Sequence, residues 1–361
     1  MLWTLSRSLS RVRHRSQWAL GAGLVLILWL AACSGPPPSV APLRPLHLQH
    51  VTRITVLDGV VGRSPMRRVD GLTAYVPAPT QGSASTSTSS DLHLLGTIGS
   101  TVYDVDLDRD SFFTVAVDDA CNAYLSVTVD GRWAACGTEA GTQTFTIGMP
   151  QPAHQGLLLE DMGTQSEYGS LAWGPGSYSL AVVVSHADNT RSINIYQVSY
   201  GPQLVATLTF PGLLVDQVSW SPDGQWLALE ASLPNGSGGF SLRLLHVGPL
   251  LPNLAPSEGT LVQPPTIVVT ASMLETLQGG EASWGPQVGA ITFSGSSGKI
   301  IERNLATGSE RTILTQNSGN LCGLAWAPDG HRLIFQICGP AGGDYAGPPA
   351  QLYVYDATSA S

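Results

Sequence analysis

Trp220-Ser221-Pro222-Asp223-Gly224, set between apolar runs at residues 218–220 and 226–229, is the motif that most restricts what this chain can become. It returns almost intact as Trp326-Ala327-Pro328-Asp329-Gly330. Partial copies stand at Trp173-Gly174-Pro175-Gly176, Trp284-Gly285-Pro286-Gln287 and Val127-Thr128-Val129-Asp130-Gly131. Asp-Gly between two β-rich runs predicts a hairpin with a two-residue reversal, because both residues tolerate the backbone angles that match strand twist. Proline lacks an N–H, so Pro222 and Pro328 mark where the strand ladder stops. The tryptophan is a large apolar anchor that one sheet cannot cover, so each copy needs a neighbouring sheet.

Aligned on positions 127, 173, 220, 284 and 326, the copies are 46, 47, 64 and 42 residues apart. Four short strands repeated at such a period are the pattern of β-propeller blades, which pack face to face around an axis. With that period established, Trp-Ser-Pro-Asp-Gly and Trp-Ala-Pro-Asp-Gly resemble the WD40-like repeat of TolB-like β-propellers. The resemblance is strong at Trp220, Asp223, Gly224, Trp326, Asp329 and Gly330 and partial at Trp173 and Trp284. It implies an all-β propeller serving as a platform for protein interactions.

Residues 48–57, 72–76, 92–95, 101–107 and 112–117 read as further strands, and the Ser/Thr-rich residues 80–90 between them are too polar to pack. The last repeat has strands at 320–327, 332–337 and 351–355 and lacks a fourth. An open outer edge is an aggregation liability. The spare strand at 48–57 is therefore expected to close the last blade, with residues 58–119 forming the first blade and the five repeats bringing the count to six. The 64-residue spacing holds two insertions, residues 235–239 and the proline-rich 248–265. Each is either a binding loop on a rigid scaffold or a tolerated surface insertion.

Arg7, Arg11, Arg13 and Arg15 precede an apolar run at residues 18–32 that ends Leu30-Ala31-Ala32-Cys33. Basic, apolar and small residues in that order predict an export signal, and the run is shorter than the ~20 residues of a spanning helix. Leu-Ala-Ala-Cys resembles the lipobox of bacterial lipoproteins, which implies cleavage before Cys33 and a lipid on its sulfur; the alternative is an uncleaved signal anchor. Either way the body is expected outside the cytoplasm. Residues 1–32 read as the signal peptide, 33–46 as a lipidated, Pro-rich tether and 47–361 as one propeller domain. Residues 1–32 hold four of the 17 basic residues and none of the 26 acids, leaving a body at −13. That balance fits neither nucleic acid nor an anionic lipid surface, so membrane contact is expected through the lipid alone.

Cys121, Cys136, Cys322 and Cys338 remain, an even number that suits disulfides in an oxidising compartment. A hairpin symmetric about Asp329-Gly330 places Cys322 almost opposite Cys338. The hairpin at Asp130-Gly131 leaves Cys121 and Cys136 several positions out of register, so that bridge requires a bulge or loop. Asp104, Asp106, Asp108 and Asp110 alternate with other residues, which on a strand puts four carboxylates on one face. They are either a Ca²⁺ site or acids running out of the strand into a solvated loop. His47 and His50 fall on opposite strand faces and read as surface residues, and Gly295-Ser296-Ser297-Gly298-Lys299 reads as a hairpin turn rather than a phosphate loop. No cofactor motif is present. Two functions follow: a lipid-anchored binding or scaffold module for a protein, peptide or glycan, or an extracytoplasmic hydrolase or lactonase with acids and histidines from several blades at the channel mouth. Fold alone does not choose between them.

Overall fold

The computed structural model describes residues 46–61, 70–76, 91–99, 101–115, 125–128, 131–138, 141–146, 154–155, 167–198, 203–236, 239–251, 264–285, 287–315, 320–338 and 349–359. The expected signal segment, Cys33, the expected tether up to residue 45, the Ser/Thr-rich stretch and Cys121 lie outside them. Among the described residues no helix is long and apolar enough to cross a membrane.

The chain enters through β1 (Leu46–Ile54) and a single helical turn, α1 (Asp58–Val61). The first sheet follows as β2 (Asp70–Tyr75), β3 (His93–Ile98), β4 (Thr101–Asp106) and β5 (Ser111–Val115). The second is β6 (Leu125–Val127), β7 (Trp133–Thr138), β8 (Gly141–Thr146) and β9 (His154–Gln155). The third is β10 (Glu167–Trp173), β11 (Ser179–Ser185), β12 (Arg191–Gln197) and β13 (Gln203–Thr209). The fourth holds β14 (Leu214–Trp220), β15 (Trp226–Ser232) and β16 (Ser241–His246), then β17 (Thr266–Val268) departs and β18 (Leu274–Leu277) returns to it. The fifth is β19 (Gly279–Trp284), β20 (Ala290–Gly295), β21 (Lys299–Asn304) and β22 (Glu310–Thr315). The last holds β23 (Asn320–Trp326), β24 (Arg332–Cys338) and β25 (Gln351–Ser359).

Among the described residues these strands make six sheets, each an up-and-down antiparallel meander, with β1 hydrogen-bonded to β25 as the outer strand of the last. The first strand of each sheet lies against the first strand of the next: β2 on β6, β6 on β10, β10 on β14, β14 on β19, β19 on β23, and β23 on β2. This is a β-propeller arrangement. The strand at the N-terminus runs over 46–54 rather than 48–57, because the chain turns at Val56-Leu57 into α1, where Leu57 and Val61 are buried against the first and last sheets. The proline-rich insertion also ends differently from a simple loop. Its exit strand β17 pairs in parallel with β13, adding a fifth strand to the preceding sheet.

The recurring turns are centred on Asp-Gly as expected, but they are not two-residue reversals. Trp220 pairs with Leu227, and the Gly224 N–H donates to the Ser221 carbonyl at 2.9 Å. Pro222 and Asp223 are thus the middle of an ordinary β-turn, and Gly224 follows at φ 72°. The loop spans four residues, a length built around such a turn and a left-handed residue. The Asp223 carboxylate holds it by accepting from Ser221 Oγ at 2.6 Å and the Gln225 amide at 3.0 Å. Ala327 and Gly330 repeat the turn, as do Thr128 and Gly131. Gly224 is doubly constrained, since a Cβ there would also stand 2.6 Å from Pro175 of the preceding turn.

The tryptophans do what their size requires. Trp220 packs among Ala172, Ala181 and Val183 of the third sheet, Trp326 against Ile300 of the fifth, Trp173 against Ala135 of the second and Trp284 beside Ala228 and Leu244 of the fourth. Each is a knob into the sheet before it. The residue preceding the tryptophan slot adds a polar stitch: Ser126 Oγ accepts the Trp173 amide at 2.9 Å, Ser283 Oγ the Trp326 amide at 3.0 Å, and Ser219 Oγ the Trp284 indole N–H at 3.1 Å.

Cys322 and Cys338 form a disulfide with Cα atoms 5.9 Å apart. The hairpin register holds from Trp326↔Leu333 back to Gly323↔Gln336, then shifts, so that Cys322 is the extra residue of a β-bulge next to Cys338. Cys136 is also disulfide-bonded.

Candidate functional site

The aspartate run does not present four carboxylates on one face. β4 ends at Asp106, and Asp108 and Asp110 belong to the turn that follows, Asp110 at φ 49°. Asp104 is fully buried and accepts hydrogen bonds from the Tyr75 hydroxyl and, at 2.8 Å, from His93 Nδ1. Asp106 accepts from Arg109 Nη1 at 2.8 Å and from the Asp108 and Arg109 amides, while Arg109 Nη2 reaches Asp91 at 2.6 Å. Asp108 takes the Leu92 amide at 2.8 Å and Arg332 Nη1 of β24 at 3.0 Å. Asp104 and Asp106 face the two ring nitrogens of His93 while Asp108 turns to Leu92 and Arg332, so the run leaves the strand into a turn, the second of the two readings, and its oxygens are not gathered on one point as a calcium cage needs. Among the described residues no group of three or more His, Cys, Asp or Glu side chains could hold a metal.

What the run builds is a buried polar network within the first sheet. Sequence inspection missed His93 and Tyr75, because neither carries a motif; His93 stands on β3, which pairs with β4, and Tyr75 opposite it on β2. Burial pushes the Tyr75 hydroxyl pKa up, and the Asp104 charge pushes it further. For His93, burial disfavours the imidazolium, but the hydrogen bond it donates to Asp104 and the charges of Asp104, Asp106 and Asp91 outweigh it and raise the pKa.

A second feature lies at the N-terminal ends of the innermost strands. Register shifts fall between Asp70 and Thr73, Tyr168 and Leu171, Val215 and Gln217, Gly280 and Ala282, and Leu321 and Gly323. Bulges re-aim side chains and gather beside functional sites. Here they single out Asp216, which pairs with Arg191 of the third sheet, Glu281, and the disulfide cysteine Cys322. Asp216 and Glu281 have no sequence signal apart from their distance to the tryptophan, whereas Cys322 is marked by its place opposite Cys338.

At the same end, the insertion between β15 and β16 creates an open cleft of about 200 Å³ lined by Leu233, Phe240, Arg243, Thr276 and Gln278 among others. Phe240 is 59% exposed and Leu233 41%, and both line this cleft. Arg243 is held in place through Ser241 Oγ at 3.0 Å and Thr276 Oγ1. Gly279, in the cleft wall, opens β19, which carries Glu281 two residues on. The cleft can therefore seat an apolar side chain between Leu233 and Phe240 with polar groups on its rim. The motif residues Trp173, Trp220, Asp223, Gly224, Trp284, Trp326, Asp329 and Gly330 lie in the turns and seams and are structural. Gly295 to Lys299 is a hairpin turn between β20 and β21.

No family profile and no curated protein matches the chain. Among solved structures it is similar to the β-propeller domain of Cps50 (Swd1) from Myceliophteria thermophila, at 12% identity and TM-score 0.47 over 74% of this chain and 80% of that one. It is similar also to a putative TolB from Agrobacterium tumefaciens, at 14% identity and TM-score 0.46 over 81% of this chain and 91% of that one. A third is the Kuenenia stuttgartiensis hydrazine synthase, at 15% identity and TM-score 0.46 over 74% and 77%. The assignment to the β-propeller class rests on the sheet order and seams above.

Proposed function

We propose that this protein is a lipid-anchored, extracytoplasmic binding or scaffold module, a six-bladed propeller closed by β1, which holds a protein or peptide segment at the cleft around Phe240. Support for the count comes from the cyclic sequence of innermost-strand contacts and from the β1–β25 ladder. The single observation that carries the binding reading is the cleft itself, with two exposed apolar side chains on the loop between β15 and β16 beside an arginine of β16 that is held in place. A glycan would stack on the same phenyl ring. A hydrolase or lactonase instead calls for acids and histidines from several sheets around one point, and the described His93 network belongs to one sheet. The binding reading is tested by photo-crosslinking in cells from a probe placed at Leu233, with and without Phe240→Ser. The expected result is a discrete crosslinked partner lost in Phe240→Ser while the melting temperature stays unchanged, since an exposed side chain costs within about ±0.5 kcal/mol. An unchanged crosslink in the variant would reject the cleft as the site.

The anchor is proposed from Leu30-Ala31-Ala32-Cys33 after a basic, apolar leader. Labelled palmitate should be incorporated, the mature chain should begin at Cys33, and Cys33→Ala should accumulate as precursor. Recovery of unmodified protein beginning at Met1 would refute it.

A further inference from the structure

Arginines of the later sheets are matched to acids. Arg191 meets Asp216, Arg332 meets Asp108 and Asp329, Arg303 meets Glu275 and Glu310, and Arg311 meets Glu302. Such matching is expected of a chain with 26 acidic and 17 basic residues. Arg243 of β16 departs from it. Its Nε donates to Ser241 Oγ and its Nη1 to Thr276 Oγ1, both hydroxyls, and no ion pair joins it to a described acid. Hydroxyl partners hold the planar guanidinium still and leave its positive charge unmatched.

The arginine stands where a partner can reach it. Arg243 pairs with Thr276 of β18, so its guanidinium crosses to the outermost strand of the fourth sheet. Among the described residues no strand pairs with the outer edge of β18, and Thr276 and Gln278 are exposed there. Strand alternation turns Leu277 to the core and Glu275 to the face away from Thr276, where Glu275 is joined to Arg303. None of the described residues that line the cleft is acidic, and its apolar side is made by Leu233 and the exposed ring of Phe240.

We propose that the cleft recognises an extended peptide segment in which an apolar side chain stands beside an aspartate or glutamate: the apolar group enters between Leu233 and Phe240, and the carboxylate accepts from Arg243. This deepens the binding reading above and rests on it. A guanidinium carries five N–H donors, and with Nε and Nη1 turned to protein hydroxyls, Nη2 remains for the guest. An arginine already held in place loses little rotamer freedom when the acid arrives, so the contact gains more than a flexible surface ion pair does. A segment seated beside Thr276 also meets the unpaired backbone of β18, the kind of edge that strand addition uses. The net negative charge of the chain repels such a segment elsewhere, so Arg243 supplies specificity more than raw affinity.

The test selects a phage-displayed library of random peptides on the full-length protein, with Phe240→Ser and Arg243→Gln selected in parallel. Enriched peptides should carry an apolar residue next to an acid. Resynthesised with both ends blocked, so that the side chain supplies the carboxylate, they should bind wild type ~tenfold more tightly than the same peptides with the matching amide in place of the acid. That difference should vanish on Arg243→Gln, and Arg243→Lys, which keeps the charge without the fork, should restore part of it. Added salt should weaken the acidic peptides and leave the amide ones unchanged. Apolar peptides enriched without an acid, or an acid preference that survives in Arg243→Gln, would overturn the inference and leave the cleft standing. A library with no enrichment over Phe240→Ser would reject the cleft itself. If Arg243→Gln does not fold, the comparison of acid and amide peptides on wild type decides.

Discussion

Deleting residues 46–54 should lower the melting temperature by roughly 10 °C or more and leave a protein that aggregates on heating. β1 pairs with β25 from Leu46↔Ser359 to Ile54↔Leu352, and no other described strand covers that edge. Its removal strips the outer ladder from the last sheet and the buried Ile54 from the core shared by the first and last sheets. Burial of such a side chain is worth ~1.5–3 kcal/mol, and each lost ladder hydrogen bond adds about 0.5–1.5 kcal/mol. The matching control removes residues 81–90, the Ser/Thr-rich stretch, which should cost little because polar sequence of that kind has no apolar surface to bury. Amide exchange places the damage: β25 and β24 should lose protection first. A truncated chain that melts like the full one would mean that closure does not depend on β1.

The contrast between these two deletions is already visible in the sequence, and the reason is physical. Strand alternation, Trp-x-Pro-Asp-Gly and the repeat period are local signals, each fixed within a few residues, and so the hairpins, their centres and the spare first strand can be read directly. The Cys322–Cys338 bridge was readable for the same reason, because a hairpin's register follows from its turn. What could not be read depends on partners far apart in the chain. Arg332 finds Asp108 across 224 positions, and β17 finds β13 after a proline-rich detour, neither with any periodic mark. The aspartate run left two readings open because alternation in the sequence does not mark the end of β4, where Asp108 and Asp110 pass into a turn. The cleft was hidden in another way: it is formed by a loop that breaks the repeat, and the repeat is what the eye follows.

Asp104→Ala should destabilise the protein by about 3–5 kcal/mol, the cost of removing one member of a buried charged pair. Asp104 is fully buried and accepts from both Tyr75 and His93, so its loss leaves two buried polar groups without their acceptor. Tyr75→Phe should cost far less, since it removes one donor and leaves the His93 contact. The pH dependence separates the two kinds of loss. His93 has its pKa raised in the fold despite burial, because Asp104, Asp106 and Asp91 favour the imidazolium. Its contribution is therefore fully present below the unfolded histidine value near 6.5 and disappears as pH rises through the higher folded value. Asp104→Asn keeps the shape but removes the hydrogen-bonded charge, so burial should win: the imidazole, followed by NMR, should titrate lower, and this component of the stability profile should flatten. Glu230, which burial and then the charge of Glu281 push up to about 7, also loses its contribution with rising pH, but in a window that closes at about 7, so Glu230→Gln and Asp104→Asn should flatten different parts of one curve. If His93 titrates at the same pH with aspartate or asparagine at position 104, the hydrogen bond between them does not set its charge, and the buried network is held together by packing alone.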